Sequence, residues 1–189
     1  MSEVEVARRL LRRRRLSQPL VEHSHGVMVC ARELAERWAA DPESAAAAGL
    51  VHDVCREMDG QEVLRRARKL GVAVGPLEAA YPAQLLHGPL AAAESLGRGL
   101  SPDTLEAMAR HTVGGRGLGA VARCVFLADA IEPRRRYAGV GDVRRLAETD
   151  LAAALLAVVD RDIERLEARG REIHPAMQAF REELREQRV

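Results

Sequence analysis

The sequence has few aromatic residues and almost no lysine. Aromatic side chains make up 3% of its 189 residues, Lys69 is the only lysine, and asparagine is absent. Without asparagine there is no acceptor for N-glycosylation. The 29 basic residues are balanced by 28 acidic ones, so net charge gives no general attraction to nucleic acid or anionic membranes. We therefore expect neither as a partner.

Cysteines and long apolar runs are also scarce. Cys30, Cys55 and Cys124 are widely spaced and have apolar neighbours, which is typical of reduced core thiols and not of a disulfide framework. No apolar stretch reaches the roughly 18 residues needed to cross a bilayer. The arginine-rich N-terminal stretch leads into Ser17 and Pro19 and not into the apolar region of a signal peptide. These features predict a cytoplasmic protein.

Strand-length runs of alternating β-branched and aromatic residues are missing, so the sequence offers nothing for a β-sheet. Instead, helix-start residues recur, each followed by apolar residues three or four positions apart. They are Ser17, Asp41, Asp59, Ser101 and Asp150. The sequence therefore predicts an all-α helical bundle. Because no repeat or linker divides it, we expect a single domain over residues 1–189, with a motif-bearing core at 18–145 and C-terminal helices at 146–189.

Charged and imidazole side chains interrupt the two most apolar stretches, Ala45–Val54 and Val121–Ile131, which predict helices at the centre of a bundle. Burying such groups costs several kcal/mol unless a partner or a metal compensates. Any single histidine is more often a hydrogen-bonded core residue. As a set, imidazoles and carboxylates suit iron, manganese or zinc. The candidate set is His23, His52, Asp53, His87, His111 and Asp129.

Helix periodicity separates two neighbouring histidines. His23 shares a helix face with Val27 and Leu34, so it should point inward, whereas His25 lies about 200° around the helix and should face solvent. His52 and Asp53, adjacent on one predicted helix, would diverge by about 100°. Since a carboxylate has two oxygens and a neutral imidazole cannot bridge, Asp53 is the candidate to bridge two metals.

The order of these residues resembles the HD-domain phosphohydrolases, and the details resemble the YqeK family of symmetrical diadenosine tetraphosphate hydrolases. The resemblance covers about residues 20 to 145. It is carried by Glu22-His23-Ser24-His25-Gly26-Val27, His52-Asp53, Leu85-Leu86-His87-Gly88-Pro89, His111-Thr112-Val113-Gly114 and Leu127-Ala128-Asp129-Ala130-Ile131-Glu132-Pro133, followed by Arg135 and Gly139-Val140.

The resemblance implies an all-helical enzyme that binds two metal ions, usually taken as iron, and splits the tetraphosphate into two nucleoside diphosphates. It implies that the candidate set above ligates the metals, with Asp53 bridging them and positioning the attacking water. A metal-activated water also fits the absence of a P-loop and of a Gly-x-Ser-x-Gly elbow.

Three arginines are candidates to bind substrate phosphate. Arg135 matches the family pattern. Arg56 stands where the family usually carries lysine, which keeps the charge but replaces a compact ammonium by a planar fork. Arg116 lies in a segment after His111 that matches the family only loosely.

Two alternatives stay open from the residues. The chain could be an HD-type phosphohydrolase of another nucleotide, such as a nucleoside monophosphate or a guanosine polyphosphate, or a non-catalytic metal-binding helical module. Manganese or another divalent metal fits the ligands as well as iron does. The expected partner is a small dinucleoside polyphosphate or nucleotide, and a homodimer is left open.

Overall fold

In the computed structural model, the described part of the chain, residues 1–187, is helical and contains no strand. The prediction of an all-α fold is confirmed. None of the described helices has the length and apolar character that a membrane crossing requires. The helices are α1 (Glu3–Arg12), α2 (Gln18–Arg37), α3 (Pro42–Val51), α4 (Gly60–Lys69), α5 (Pro76–Ala80), α6 (Pro82–Leu85), α7 (His87–Ser95), α8 (Pro102–Arg110), α9 (Ala120–Ile131), α10 (Val140–Thr149), α11 (Leu151–Glu167) and α12 (Pro175–Glu186).

The predicted helix starts are the observed N-caps of α2, α3, α4, α8 and α11. The side chains of Asp41, Asp59, Ser101 and Asp150 accept a backbone N–H of the first turn. Such a bond satisfies one of the donors that a helix leaves unpaired at its N-terminus. Ser17 occupies the cap position without this side-chain bond.

Helices α3 and α9 form the centre of the bundle, as the apolar stretches predict. Every residue of α3 from Ser44 to Val51 is buried, and α3 packs against α1, α2, α8 and α9. Its small side chains permit a close approach: a Cβ on Gly49 would lie 3.0 Å from the backbone of Met28 on α2. This close approach brings the C-terminal end of α3 next to α2 and α9.

The predicted helix through His52 and Asp53 ends earlier than expected. α3 stops at Val51, His52 is its C-cap, and Asp53 lies in the turn that follows. The backbone N–H of His52 still donates to Ala48 O at 2.8 Å. After His52 the backbone forms a tighter turn than an α-helix, because the N–H of Val54 donates to Val51 O, three residues earlier. The prediction that both residues lie within one helix is therefore wrong, and their directions come from a turn.

Of the C-terminal helices, α10 and α11 pack against α9 and each other, and α12 packs against α11. Phe180 on α12 is fully buried and meets the ring of Phe126 on α9 edge to face, with 5.4 Å between centroids. The three cysteines are free thiols, as predicted, with Cys55 and Cys124 buried and Cys30 half-buried. Burial raises the pKa of the Cys55 thiol to about 12, so this thiol is unreactive at neutral pH.

Candidate metal centre

The structure brings the six candidate ligands together at one place, although they come from five helices or their ends. His23 and Asp129 lie within α2 and α9. His52 and His111 are the C-caps of α3 and α8, and His87 is the first residue of α7. Four of the six are buried, namely His52, Asp53, His87 and His111, and the other two are half-buried.

One half of the cluster is built around Asp129. Its Oδ1 lies 3.0 Å from Nε2 of His23 and 4.0 Å from Nε2 of His52. One ligand atom from each of His23, His52 and Asp129 lies within 4.8 Å of the other two. Two imidazoles and a carboxylate at this spacing form a group that could hold a divalent transition metal.

The other half is built around Asp53. Its Oδ2 lies 3.5 Å from Nε2 of His52, while Oδ1 lies 3.0 Å from Nε2 of His87 and 3.5 Å from Nε2 of His111. His52, Asp53 and His111 form a second group with ligand atoms within 4.8 Å. The two carboxylate oxygens of Asp53 thus face different histidines, as a bridge between two metals would require.

All four imidazoles are held by the ring nitrogen that points away from the cluster. In each ring Nδ1 contacts an acceptor, which leaves Nε2 facing inward. The acceptors are Glu132 Oε1 for His23 at 3.1 Å, Gly49 O for His52 at 2.8 Å, Ala83 O for His87 at 3.1 Å and Met108 O for His111 at 2.9 Å. Metal-binding histidines in proteins usually donate their second N–H in this way, which sets the tautomer and orients the ring.

Several inward atoms are buried without a hydrogen-bond partner. They are Nε2 of His23, Nε2 of His52 and Oδ1 of Asp53. Each has a polar neighbour within about 3.5 Å, yet none of these contacts has hydrogen-bond geometry. Buried polar atoms without partners are costly, and divalent cations held in the two groups would give these atoms partners. The donor set therefore fits a divalent metal.

Burial keeps part of the histidine set neutral. It lowers the pKa of His52 to about 4 and also lowers the pKa of His87. Although burial acts in the same direction on His23 and His111, the carboxylates beside these two rings raise their pKa values. Neutral imidazole is the form that binds metal ions, so His52 and His87 are ready to bind at neutral pH.

The two carboxylates are held ionised. Burial by itself would raise the pKa of Asp53 and of Asp129, but their surroundings outweigh it. The neighbouring imidazole of His52 favours the ionised form of both carboxylates, and His23 and Arg135 act further on Asp129. Both pKa values consequently lie below the usual range of an aspartic acid.

Glu132 and Gly26 support His23, and sequence reasoning assigned neither a role. The Glu132 side chain is buried, accepts the N–H of Arg134 at 2.7 Å and contacts His23 Nδ1. A Cβ at position 26 would lie 2.7 Å from Glu132 Oε2, so glycine leaves room for this carboxylate. The signal in the sequence that could have identified Glu132 is its position as an acidic residue at the end of the apolar helix α9.

A cavity of about 650 Å³ opens over the candidate ligands. Arg56 and Arg135, two of the arginines predicted to bind phosphate, both line it. Arg56 Nη1 lies 3.4 Å from Nδ1 of His87, whereas Arg135 Nε donates to the backbone oxygen of Asp129 at 2.6 Å and its Nη2 contacts the Asp129 carboxylate. One arginine therefore stands at each half of the cluster.

The cavity lining contains two arginines that the sequence analysis missed and lacks one that it proposed. Arg161 and Arg165 of α11 also line it, and the sequence analysis missed both. Arg116 does not belong to the described lining; its guanidinium makes two bonds to Glu186 on α12, at 2.8 and 2.9 Å. The predicted phosphate contact of Arg116 therefore has no support in this geometry. His25 is exposed, as helix periodicity predicted.

Comparison with known proteins shows the family of this chain. The HD domain family model matches residues 20–134. The chain belongs to the HD-domain family. Membership implies dependence on a divalent metal. A symmetrical bis(5'-nucleosyl)-tetraphosphatase of Bacillus subtilis is 34% identical over 147 residues, which are 75% of this chain and 78% of that protein. A relative of the same description from Halalkalibacterium halodurans is 32% identical, covering 85% and 86%.

A solved structure shows the same fold as this HD-domain protein. It is a predicted HD superfamily hydrolase from Clostridium acetobutylicum, described as involved in NAD metabolism, with a TM-score of 0.89 and 29% identity. The match covers 99% of this chain and 98% of that one. The predicted resemblance to HD-domain phosphohydrolases, and within them to the YqeK family, is thus confirmed. The ligand and phosphate-binding roles of single residues stay predictions.

Proposed function

We propose that this HD-domain protein hydrolyses diadenosine tetraphosphate to two molecules of ADP. The anhydride bond between the second and third phosphates breaks, and the oxygen and protons of one water end on the two products. The observation that carries the proposal is the cluster in which four imidazoles turn Nε2 toward two ionised carboxylates beneath an arginine-lined cavity. The names of the similar bacterial enzymes support this substrate.

In this proposal His23, His52, Asp53, His87, His111 and Asp129 hold two divalent metals. Metals bound there would activate water and neutralise developing charge on the phosphoryl oxygens. Asp53 would join the two halves of the cluster through its separate oxygens and so fix their spacing. Glu132 would hold the ring of His23 in place through Nδ1.

Arg56 and Arg135 would bind the polyphosphate on the two sides of the bond that breaks. Arg56 stands beside His87 in one half of the cluster, and Arg135 stands beside Asp129 in the other. A guanidinium pairs with phosphate through two parallel N–H bonds. A cation on each side suits a tetraphosphate cut at its middle, because both product halves carry two phosphates.

Several finer points belong to the same proposal. The metal is iron, a choice that rests on the family resemblance and not on the donor atoms. The protein works in the cytoplasm, which its three free thiols support. Residues 18–145 form the catalytic core and 146–189 the C-terminal helices. A homodimer is a prediction to be checked by light scattering.

A product assay tests the proposal. Protein purified without oxygen should contain about two transition-metal ions per chain and should convert diadenosine tetraphosphate to ADP alone. Chelation should remove activity, and adding back the metal should restore it. Release of ATP with AMP, or turnover confined to NAD or to nucleoside monophosphates, would overturn the proposed reaction. Full activity in chelated protein with no bound metal would overturn the metal-dependent mechanism.

A further inference from the structure

A second cavity, of about 620 Å³, lies apart from the candidate metal centre. It is lined by the C-terminal parts of α1, α4 and α7, by residues just after these helices, and by Val54. No described residue borders both this cavity and the one over the candidate ligands. A ligand held here would therefore contact none of the candidate metal ligands. The volume of the cavity falls within the range of sites that enclose small organic molecules, about 300–1,000 Å³.

Positive charge dominates this lining, although the whole chain is nearly balanced, with 29 basic and 28 acidic residues. In the part of the chain that the structure describes, Glu94 is the one acidic residue of the lining. The six basic residues are Arg13, Arg14, Arg65, Arg66, Lys69 and Arg98. We call this space the basic cavity. It concentrates cations that the net charge of the chain does not reveal, and such a concentration attracts anions.

Carboxylates neutralise only part of the charge in the basic cavity. The paired members, each bonded to Glu62 or Glu94, are Arg14, Arg65 and Arg66. Within residues 1–187, Arg13, Lys69 and Arg98 form no ion pair with a carboxylate, and all three are exposed. An anion that enters the cavity can thus bind these three cations without first breaking an ion pair.

Helix ends account for part of this pattern but not for the shared space. Basic residues are favoured in the last turn of a helix, where the helix dipole is negative, and Arg66 and Lys69 lie in the last turn of α4. That effect is local to each helix and does not require cations from three helices to line one cavity. Bringing them together adds repulsion between like charges, which a bound anion would offset.

The side chains of the basic cavity suit a chain of phosphates. A guanidinium pairs with phosphate through two parallel N–H bonds, and an ammonium binds it as a point charge. Several cations around one space match an anion that carries several charges close together better than they match a single carboxylate. An apolar part of the lining, which would suit an attached nucleoside, comes from Leu10, Val54, Leu70, Ala91 and Ala93.

We propose that the basic cavity binds an oligophosphate, a chain of two or more linked phosphates, at a site separate from the metal centre. A free inorganic oligophosphate and a nucleotide share this chemistry. Val54 directly follows Asp53, and α7 begins with His87. The bound anion would therefore contact two elements that carry candidate metal ligands. The proposal does not depend on which reaction the metal centre catalyses.

The only lysine of the chain gives a direct test, because Lys69 lines the basic cavity. The metal-loaded full chain is treated briefly with an amine-acetylating ester, and acetylation of Lys69 is followed by mass spectrometry. A lysine-containing reference peptide in the same tube reports the activity of the reagent. Inorganic triphosphate should slow acetylation of Lys69 in a saturable manner, whereas sodium sulfate at the same ionic strength should not.

Variants inside and outside the lining locate the bound anion. Arg13→Ala and Arg98→Ala should each raise the triphosphate concentration needed for half-protection of Lys69 about tenfold, because each removes a hydrogen bond between charged groups. Arg8→Ala is the matched control on α1, since Arg8 is exposed and does not belong to the described lining. Arg135→Ala, at the metal centre, should also leave the protection of Lys69 unchanged.

ADP and pyrophosphate distinguish the two sources of the phosphate chain, because both carry two linked phosphates. Protection of Lys69 at a lower concentration of ADP identifies a nucleotide as the ligand, and protection at an equal or lower concentration of pyrophosphate identifies the inorganic chain. Either result supports the oligophosphate site.

Four results would overturn the proposal. They are equal protection by sulfate, an effect of Arg8→Ala as large as that of Arg13→Ala, loss of protection in Arg135→Ala, and no protection by any phosphate probe. Each would do so even when the wild type cleaves diadenosine tetraphosphate to ADP. Conversely, failure of that cleavage would leave a specific protection of Lys69 as support for the oligophosphate site.

Discussion

The buried carboxylate of Glu132 lies 3.1 Å from Nδ1 of His23. This contact spans most of the HD region, because the two residues are 109 positions apart in the chain. It sets which nitrogen of His23 faces Asp129. Glu132 therefore acts on the metal centre through another residue and not as a ligand itself.

Replacing Glu132 should weaken metal binding without removing a ligand. Glu132→Gln keeps the shape but loses the charge that supports the His23 N–H, so we expect metal affinity to fall about 10- to 100-fold. Metal titration against a competing chelator measures the change. Glu33→Gln, an exposed change on the same helix as His23, is the control and should bind like the wild type. Equal affinities in all three proteins would contradict the positioning role.

Gly88 should tolerate no side chain. A Cβ there would lie 2.6 Å from Met108 O and 2.9 Å from Cε1 of His111, so Gly88→Ala must displace the ring of His111. We expect a loss of activity of at least tenfold and reduced metal content. Gly141→Ala is the matched control, since Gly141 lies within α10 with only an ordinary contact at 3.8 Å. It should keep full activity and gain up to about 1 kcal/mol of helix stability. Full activity in Gly88→Ala would show that His111 can move without consequence.

Substitution of Asp53 should abolish activity, whereas substitution of His25 should have little effect. Asp53→Ala removes the carboxylate that faces both halves of the cluster, so activity and at least one metal per chain should be lost. His25→Ala changes an exposed ring and should cost less than about tenfold in kcat/KM, equal to about 1.4 kcal/mol. Elemental analysis and the ADP assay measure both. An essential His25 would mean that the ligand set is wrong.

Substitution of the arginines at the cavity should weaken substrate binding, whereas substitution of Arg116 should not. Arg56→Ala and Arg135→Ala should each weaken binding of diadenosine tetraphosphate by about 1.5–3 kcal/mol, the worth of a hydrogen bond to a charged group. A chromogenic monophosphate ester should respond less, because it has no second phosphate. Arg135→Lys should fall between wild type and alanine, since lysine keeps the charge but not the fork.

Arg116→Ala serves as the control for these variants, because its guanidinium is exposed and bonded to Glu186. We expect unchanged kinetics on both substrates. Equal damage to the two substrates in Arg56→Ala and Arg135→Ala would contradict phosphate binding and favour a monophosphatase. A strong loss in Arg116→Ala would restore that residue as a phosphate ligand.

The amino-acid sequence by itself determined the helical class, the helix starts and the list of six ligand candidates. These depend on local physics: a capping side chain bonds within one turn, and the apolar period of a helix is visible over a few residues. The inward direction of His23 and the exposure of His25 followed from the same period. A polar residue inside an apolar stretch marked the site because burial of that group needs compensation.

Only the tertiary structure decided which partners those residues meet. The support of His23 by Glu132, the pairing of Arg116 with Glu186 and the contact of His174 with Glu78 each join segments that lie 70 to 109 positions apart. No local pattern encodes such pairs, because they depend on how whole helices pack. The position at which α3 ends, before His52, likewise depends on how whole helices pack. Packing of α3 against α2 and α9, and the bond from the His52 ring to Gly49 O, set that turn.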